Sequence, residues 1–386
     1  MPLLRRAASG DMGGTKTIQG PGPNGAGGIG ARGAGPGPKG ADGAGPGPNG
    51  AGPNPGPNGA GGALVALIEA MRPAHWIKNA FVVAPIVFAN LIGSMEAWGL
   101  CLAAVAAFCL LSSSVYLIND VCDRRLDRAH PSKRNRPIAS GRLSPAAALL
   151  AAVVLLAAGL AIAAGVCVLH RGRATSFHGW GLLVWSGAYF LLNLAYSTWL
   201  KRKIIIDVII VALGFVLRAM AGAAAIDGAA GIAVPISPWL VVCTLTLCLF
   251  IALTKRRYEV TELSPAEAAA ARPANAGYDA RDLEYMQTVS TAMAILTYCL
   301  YCLAPATVHR IGSANMVWTI PLVIYGMFRY NVLSRLIGKG DPVSILMRDR
   351  IMWLVLAAYV LLAALVIQHG RLPAVRYLLD TGVAGT

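Results

Sequence analysis

Asn119, Asp120, Asp123 and Asp127 form the pattern N-D-x-x-D-x-x-x-D inside LINDVCDRRLDRAHPSKRNRPIASG, residues 117–141. On a continuous helix Asn119, Asp123 and Asp127 recur at i, i+4 and i+8, with Asp120 three residues before Asp123, so their oxygens converge. Carboxylates crowded in this way repel one another unless a cation neutralises them. Oxygen donors without imidazole or thiolate suit Mg2+, with Mn2+ as the alternative ion. Mg2+ is usually held by one or two carboxylates plus substrate phosphates. Asp120, Asp123 and Asp127 are therefore candidate catalytic residues and, with Asn119, candidate metal ligands. Lys133, Arg134 and Arg136 follow directly, flanked by Pro131 and Pro137, and supply charge for phosphate oxygens. Acidic groups for a metal and basic groups for phosphates are the two halves of a phosphate-ester site. The plainer reading is a solvated helix end in which Arg124, Arg125 and Arg128 pair with the aspartates.

Four other stretches carry candidate substrate-binding residues. MRPAHWIKNAF offers Lys78 and Asn79 beside Trp76, which by themselves read better as an interfacial anchor of basic and aromatic residues than as phosphate contacts. AYSTWLKRK offers Tyr196 and Lys201, a hydroxyl donor and a point charge suited to phosphate. Asp207 and Arg218 lie eleven residues apart in IIIDVIIVALGFVLRAM. On a helix they are about 16 Å apart and cannot pair directly. Asp207 is placed to support the site, and Arg218 to face the bundle interior. TKRRYEVTEL supplies Lys255, Arg256 and Glu259 and leads into a loop over 255–285, long enough to cover a site. The six histidines and eight cysteines show no metal-ligand spacing, and the cysteines read as small buried hydrophobes.

The elements that must position these residues are membrane helices. The 386-residue chain is 56% hydrophobic and only 13% charged, with a mean hydropathy of +0.59. Soluble domains carry about 25% charged residues. The net charge of +15 falls between apolar stretches, where it sets topology or meets headgroups and phosphates rather than nucleic acid. Uncharged stretches run over Asn79–Met95, Ala97–Asn119, Leu143–Leu169, Ala174–Leu200, Gly228–Thr254, Met286–Val308, Ile311–Phe328 and Ile351–His369, and Ile204–Ile226 contains one arginine and one aspartate. A span needs about 20 such residues, which predicts an all-α polytopic membrane protein with about nine transmembrane helices. The connections 120–142, 201–203, 255–285 and 335–350 hold most of the Lys and Arg. The positive-inside rule then puts the N-terminus, the basic loops and the candidate site in the cytoplasm, and the C-terminus outside. Residues 1–62, rich in Gly, Pro and Asn, have nothing to bury and are expected to be disordered. The membrane domain is expected over 63–375, with a short tail at 376–386.

With these residues in place, the chain resembles the UbiA-type intramembrane prenyltransferase superfamily. The resemblance rests on the span count, on the acidic motif after the second span and on Tyr196 to Lys201 after the fourth, and it covers residues 64 to 370. RPAHWIKN, NDVCDRRLDRAHPSKRNRPIASG, YSTWLKRKIIIDV, GFVLRAMAG and TKRRYE are together most similar to decaprenyl-phosphate phosphoribosyltransferases. That resemblance implies Mg2+-dependent transfer of 5-phosphoribose from phosphoribosyl pyrophosphate to a polyprenyl phosphate, an early step towards cell-wall arabinan. It also implies a multi-pass protein of the bacterial inner membrane that works at the bilayer with a lipid substrate, and it leaves homo-oligomers open. The usual prenyltransferase has a second aspartate-rich motif after its sixth span, where this chain reads KRRYEVTEL. The departure disfavours a prenyl-diphosphate donor. Transfer of a polyprenyl group to an aromatic or other small acceptor is the alternative, and an anion transporter is the alternative of another class.

Overall fold

The computed structural model describes residues 60–130, 133–172, 175, 179–262, 268, 273–336 and 348–368. Residues 1–59 of the expected N-terminal tail, residues 369–386, Pro131, a part of the 255–285 connection and most of the 335–350 connection lie outside the described residues. Helix α1 (Ala60–Met71) starts within the stretch whose composition reads as tail. A 3-10 turn, Pro73–Asn79, leads to α2 (Ala80–Phe88) and the long α3 (Met95–Cys122). Two short helices follow, α4 (Arg124–Ala129) and α5 (Pro137–Ser140), and then α6 (Pro145–Leu169), α7 (Gly181–Thr198), α8 (Ile206–Ile226) and α9 (Pro238–Thr261). The chain closes with α10 (Ala280–Leu303), α11 (Pro305–Ile311), α12 (Ile320–Leu336) and α13 (Arg350–Gln368). No strand occurs among the described residues. This is an all-α, multi-pass membrane protein.

Seven helices among the described residues are long and apolar enough to cross a bilayer: α3, α6, α8, α9, α10, the 315–335 stretch that contains α12, and α13. The sequence predicts about nine, and the other two stretches give one short helix and one helix of 18 residues. Asn79–Met95 forms only the nine-residue α2 before the chain turns at Ala89–Ser94. Nine residues rise about 13 Å, under half of a hydrocarbon core of about 30 Å. Ala174–Leu200 yields the 18-residue α7, Gly181–Thr198, which is not among those seven. KRRYEVT also departs from expectation. It forms the last two turns of α9 rather than a loop after the span.

Capping residues set several helix starts. Ser94 and Ser144 accept from the backbone N–H groups of Ala97 and Ala147, and Asp279 accepts from Arg281, each satisfying a donor that has no partner within its helix. Proline opens α6, α9 and α11, where its missing N–H costs nothing. α3 lies at the centre, against α2, α6, α7 and α8. Small residues make this packing close: a Cβ on Gly222 of α8 would sit 2.0 Å from the Val82 carbonyl oxygen of α2, and one on Gly159 of α6 would sit 3.1 Å from the Ala107 oxygen of α3. Outward, α6 exposes Leu150, Val153 and Val154, and α13 exposes Leu354, Val360 and Leu361, apolar faces suited to lipid.

The contact at Gly222 gives a direct check. Gly222→Ala should force α2 from α8 and cost about 1–3 kcal/mol. The expected result is a lowered thermal midpoint in detergent; an unchanged midpoint would contradict the close approach.

Candidate active site

The acidic motif spans a joint between two helices. α3 ends at Cys122 and α4 starts at Arg124, with Asp123 at φ −90° and ψ 0° between them. The backbone ladder nevertheless runs through, because Asp123 N donates to the Asn119 oxygen at 2.9 Å and Asp127 N to the Asp123 oxygen at 2.8 Å. The four side chains therefore stay on neighbouring faces, as the spacing predicts. Asp120 and Asp127 are buried, and Asn119 and Asp123 are half-buried.

The counter-charges come from afar. Arg136 Nη1 donates to both Asp120 Oδ1 (3.2 Å) and Asp127 Oδ2 (2.8 Å), and Arg72 Nη2 reaches the same Asp120 oxygen at 2.5 Å. Lys201 Nζ donates to Asp123 Oδ1 (2.5 Å) and Asn119 Oδ1 (3.4 Å). No ion pair among the described residues joins these aspartates to Arg124, Arg125 or Arg128, so the solvated-helix-end reading is not the arrangement found. Arg128 Nε instead donates to the Ala139 oxygen and ties α4 to α5. The motif is thus one surface of oxygens interleaved with three cations from three other segments. Arg134 is exposed, and Lys133, Lys78, Tyr196 and Lys255 are half-buried.

RPAHWIKN lies along α3 as a polar zipper. Its partners on α3, Asp120, Tyr116, Ser113 and Cys109, recur at three- and four-residue intervals and so form one stripe. Arg72 stacks on Tyr116 with its guanidinium carbon 5.1 Å from the ring centre, and His75 meets the edge of the same ring. Trp76 Nε1 donates to Ser113 Oγ at 3.1 Å, and Asn79 Nδ2 donates to Cys109 Sγ at 3.3 Å. Trp76 is therefore hydrogen-bonded to α3. Asn79, expected to contact substrate, is buried, and its oxygen accepts from Arg218 Nε at 3.0 Å, so both ends of its amide are bonded within the bundle. Arg218 also donates to the Gly214 oxygen and to Tyr189 Oη and stacks on Tyr189, a buried cation that joins α8 to α7 and to the 3-10 turn. Arg72 itself sits at φ 56° and ψ 62°, a left-handed position that ends α1.

A second charged network occupies the ends of α8 and α9. Arg256 Nε donates to Asp207 Oδ2 at 2.8 Å, and Arg256 Nη1 pairs with Glu259. Tyr278 Oη donates to Asp207 Oδ1 at 2.7 Å, and Asn275 Nδ2 donates to Glu259 Oε2 at 3.1 Å. All five residues are buried. Asp207, Arg256 and Glu259, expected to bind substrate, are hydrogen-bonded to one another instead. They fasten the 273–278 segment to the bundle.

Comparison with known proteins agrees with this architecture. A family profile described as "UbiA prenyltransferase family" matches residues 81–348. The chain belongs to the UbiA prenyltransferase family. It is a transferase. Among curated relatives, the decaprenyl-phosphate phosphoribosyltransferase of Mycolicibacterium smegmatis is 30% identical, over 76% of this chain and 90% of its own. The protein of the same name from Corynebacterium glutamicum is 29% identical, over 76% of this chain and 84% of its own. Among solved structures, a UbiA homologue from Archaeoglobus fulgidus bound to GPP and Mg2+ matches with a TM-score of 0.58 at 17% identity, over 78% of this chain and 99% of that one. At that identity the likeness shows the fold alone.

A metal fits this UbiA-family site in one respect: Asp120 Oδ2 is buried without a hydrogen-bond partner among the described residues, and the donor set around it is all oxygen. No group of three or more His, Cys, Asp or Glu among the described residues is gathered closely enough to hold a metal alone. The arrangement suits an ion that one or two carboxylates share with substrate phosphates. Sequence reasoning missed Tyr278 and Asn275, which are remote in sequence from the motifs they brace, and it left Arg72 out of the candidate site. The left-handed Arg72 before a proline carries no sequence signal of its own.

The second network predicts a stability effect. Arg256→Ala leaves Asp207 and Glu259 buried without their cation and should cost about 3–5 kcal/mol. Thermal unfolding in detergent checks it, and an unshifted midpoint would show that the network is not buried as described.

Proposed function

We propose that the protein transfers 5-phosphoribose from phosphoribosyl pyrophosphate to a polyprenyl phosphate of the decaprenyl type, releasing pyrophosphate, at the cytoplasmic face of a bacterial inner membrane. The product class is a lipid-linked pentose phosphate of the kind that arabinan precursor synthesis consumes. The observation that carries the reading is the interleaving of the Asn119–Asp127 oxygens with Arg72, Arg136 and Lys201, one set suited to a divalent cation and the other to phosphate oxygens. The choice of donor is supported by the names of the relatives from Mycolicibacterium smegmatis and Corynebacterium glutamicum. It is also supported by the commitment of Arg256 and Glu259 to Asp207, where a second acidic cluster would stand in the usual prenyltransferase.

Mg2+ use is supported by the bound Mg2+ named for the Archaeoglobus fulgidus fold relative. Asn119, Asp120, Asp123 and Asp127 would hold the ion, which supplies neutralisation of charge on the departing diphosphate. Lys201 and Arg136 exchange their aspartates for phosphate oxygens when the donor enters, so the site trades one set of ion pairs for another and exposes no charge unpaired. Lys133, Arg134 and Lys78 add positive potential around the diphosphate, and Tyr196 adds a hydroxyl donor. An oxygen of the polyprenyl phosphate attacks ribose C1 as the C1–O bond to pyrophosphate breaks, and the bonding pair leaves with pyrophosphate. The attacking oxygen is already anionic near neutral pH, so no general base is required. The basic groups act on the charge that grows on the leaving group, where fixed electrostatics contribute most.

A prenyl-diphosphate donor with a small acceptor is the second reading, favoured by the GPP in the Archaeoglobus fulgidus relative. Purified protein offered phosphoribosyl pyrophosphate with polyprenyl phosphate, or prenyl diphosphate with an aromatic acid, separates the two. Transfer in the first assay is expected, and transfer in the second alone would refute the proposal. Asp123→Ala should abolish Mg2+-dependent pyrophosphate release, and near-normal turnover would remove the metal assignment.

A further inference from the structure

The link from α7 to α8 joins the two charged networks. Lys201, in a 3-10 turn over Leu200–Arg202, reaches Asp123 and Asn119, and Asp207, six residues later, anchors the Arg256 network. Between them Ile205 has φ 69° and ψ −46°, and Ile206 N donates to the Ile204 oxygen at 2.8 Å. The i to i+2 bond closes a γ-turn of the rare positive-φ type. A β-branched residue at positive φ is a genuine outlier, and such strain persists only where the surroundings impose it. Apolar packing does not impose it, because Ile204 and Ile205 are 45% and 48% exposed.

The 273–278 segment does. Ile205 N–H donates to Tyr278 Oη at 2.7 Å, and Tyr278 Oη donates to Asp207 Oδ1 at 2.7 Å. The Ile205 N–H can only donate, which leaves the Tyr278 hydroxyl proton for Asp207; burial, and then that bond to Asp207, push the phenol well above its ordinary value. Gly277 completes the contact: a Cβ there would lie 2.3 Å from Ile204 Cδ1. One hydroxyl thus holds the strained backbone with its lone pair and the buried carboxylate with its proton.

We propose that Tyr278 is a positioning residue for Lys201, holding the turn at Ile205 so that the ammonium reaches the diphosphate position beside Asp123. This rests on the preceding reading of Lys201 as a diphosphate ligand. Without the hydroxyl, Ile205 relaxes towards negative φ and the Lys201 end of the link loses its register. Glycine tolerates positive φ, so an Ile205→Gly link has no strain to release and depends less on the hydroxyl.

The test is calorimetric titration of pyrophosphate with Mg2+ into the full-length protein in detergent, because pyrophosphate is the leaving group under either donor. Tyr278→Phe should weaken binding about 5- to 20-fold and Ile205→Gly about 2-fold or less. In the Ile205→Gly background, Tyr278→Phe should cost no more than about 2-fold. Multiplicative effects, or a Tyr278→Phe protein that loses thermal stability while keeping its affinity, would overturn the proposal. Lys201→Met is the control. If it binds pyrophosphate normally, the reading of Lys201 itself falls and the proposal with it. If Lys201→Met weakens binding and Tyr278→Phe does not, the positioning role alone falls.

Discussion

The structure turns on the need to neutralise Asp120 and Asp127. Both carboxylates are buried at the end of a membrane helix, where an unpaired charge costs several kcal/mol. Arg136 answers by bridging the two, and Arg72 answers by adopting a left-handed backbone at the end of α1. Those pairings dictate the neighbourhood: α4 and α5 fold back so that Arg136 can reach, and RPAHWIKN lies along α3 so that Arg72 can. The same pairings keep the site ready for a ligand of mixed charge. A metal–diphosphate brings cation and anion together, so it can replace the resting pairs without stranding either sign.

The networks differ in what they leave available. Around Asn119–Asp127 the cations sit on partly exposed side chains, and one buried oxygen of Asp120 lacks a partner among the described residues. Around Asp207 the groups are buried and closed on one another, which suits bracing rather than binding. Arg218 belongs to the bracing class as well, because it is surrounded by neutral acceptors and aromatic faces and holds Asn79 inward. The link from Lys201 to Asp207 connects the exchangeable network to the closed one.

Much of this was legible in the sequence, because charge is scarce in an apolar chain and each charged motif therefore stands out. The N-D-x-x-D-x-x-x-D spacing places its side chains on neighbouring faces, and the backbone bonds across Asp123 keep them there, although among the described residues no three of the acidic groups gather closely enough to hold a metal alone. Two kinds of information were not legible. Pairing across 16 to 82 residues of chain, as of Arg136 with Asp120 or Lys201 with Asn119, depends on tertiary packing that local spacing does not encode. Apolar length also overstates spans: Asn79–Met95 is apolar enough to cross, yet its chain turns after Phe88 and its helix packs on Gly222. The inward amide of Asn79 and the bonds within the Arg256 network were not legible for a related reason. A polar residue near a membrane interface looks the same in sequence whether it faces a substrate or another buried charge.

Because protein cations neutralise the aspartates beforehand, metal and diphosphate should enter this site together. Electron paramagnetic resonance of Mn2+ titrated into the purified protein, with and without pyrophosphate, tests it most directly. Weak Mn2+ binding alone, tight binding with pyrophosphate, and loss of that gain in Asp123→Asn are expected. Equally tight Mn2+ binding without pyrophosphate, or a gain that survives Asp123→Asn, would contradict it.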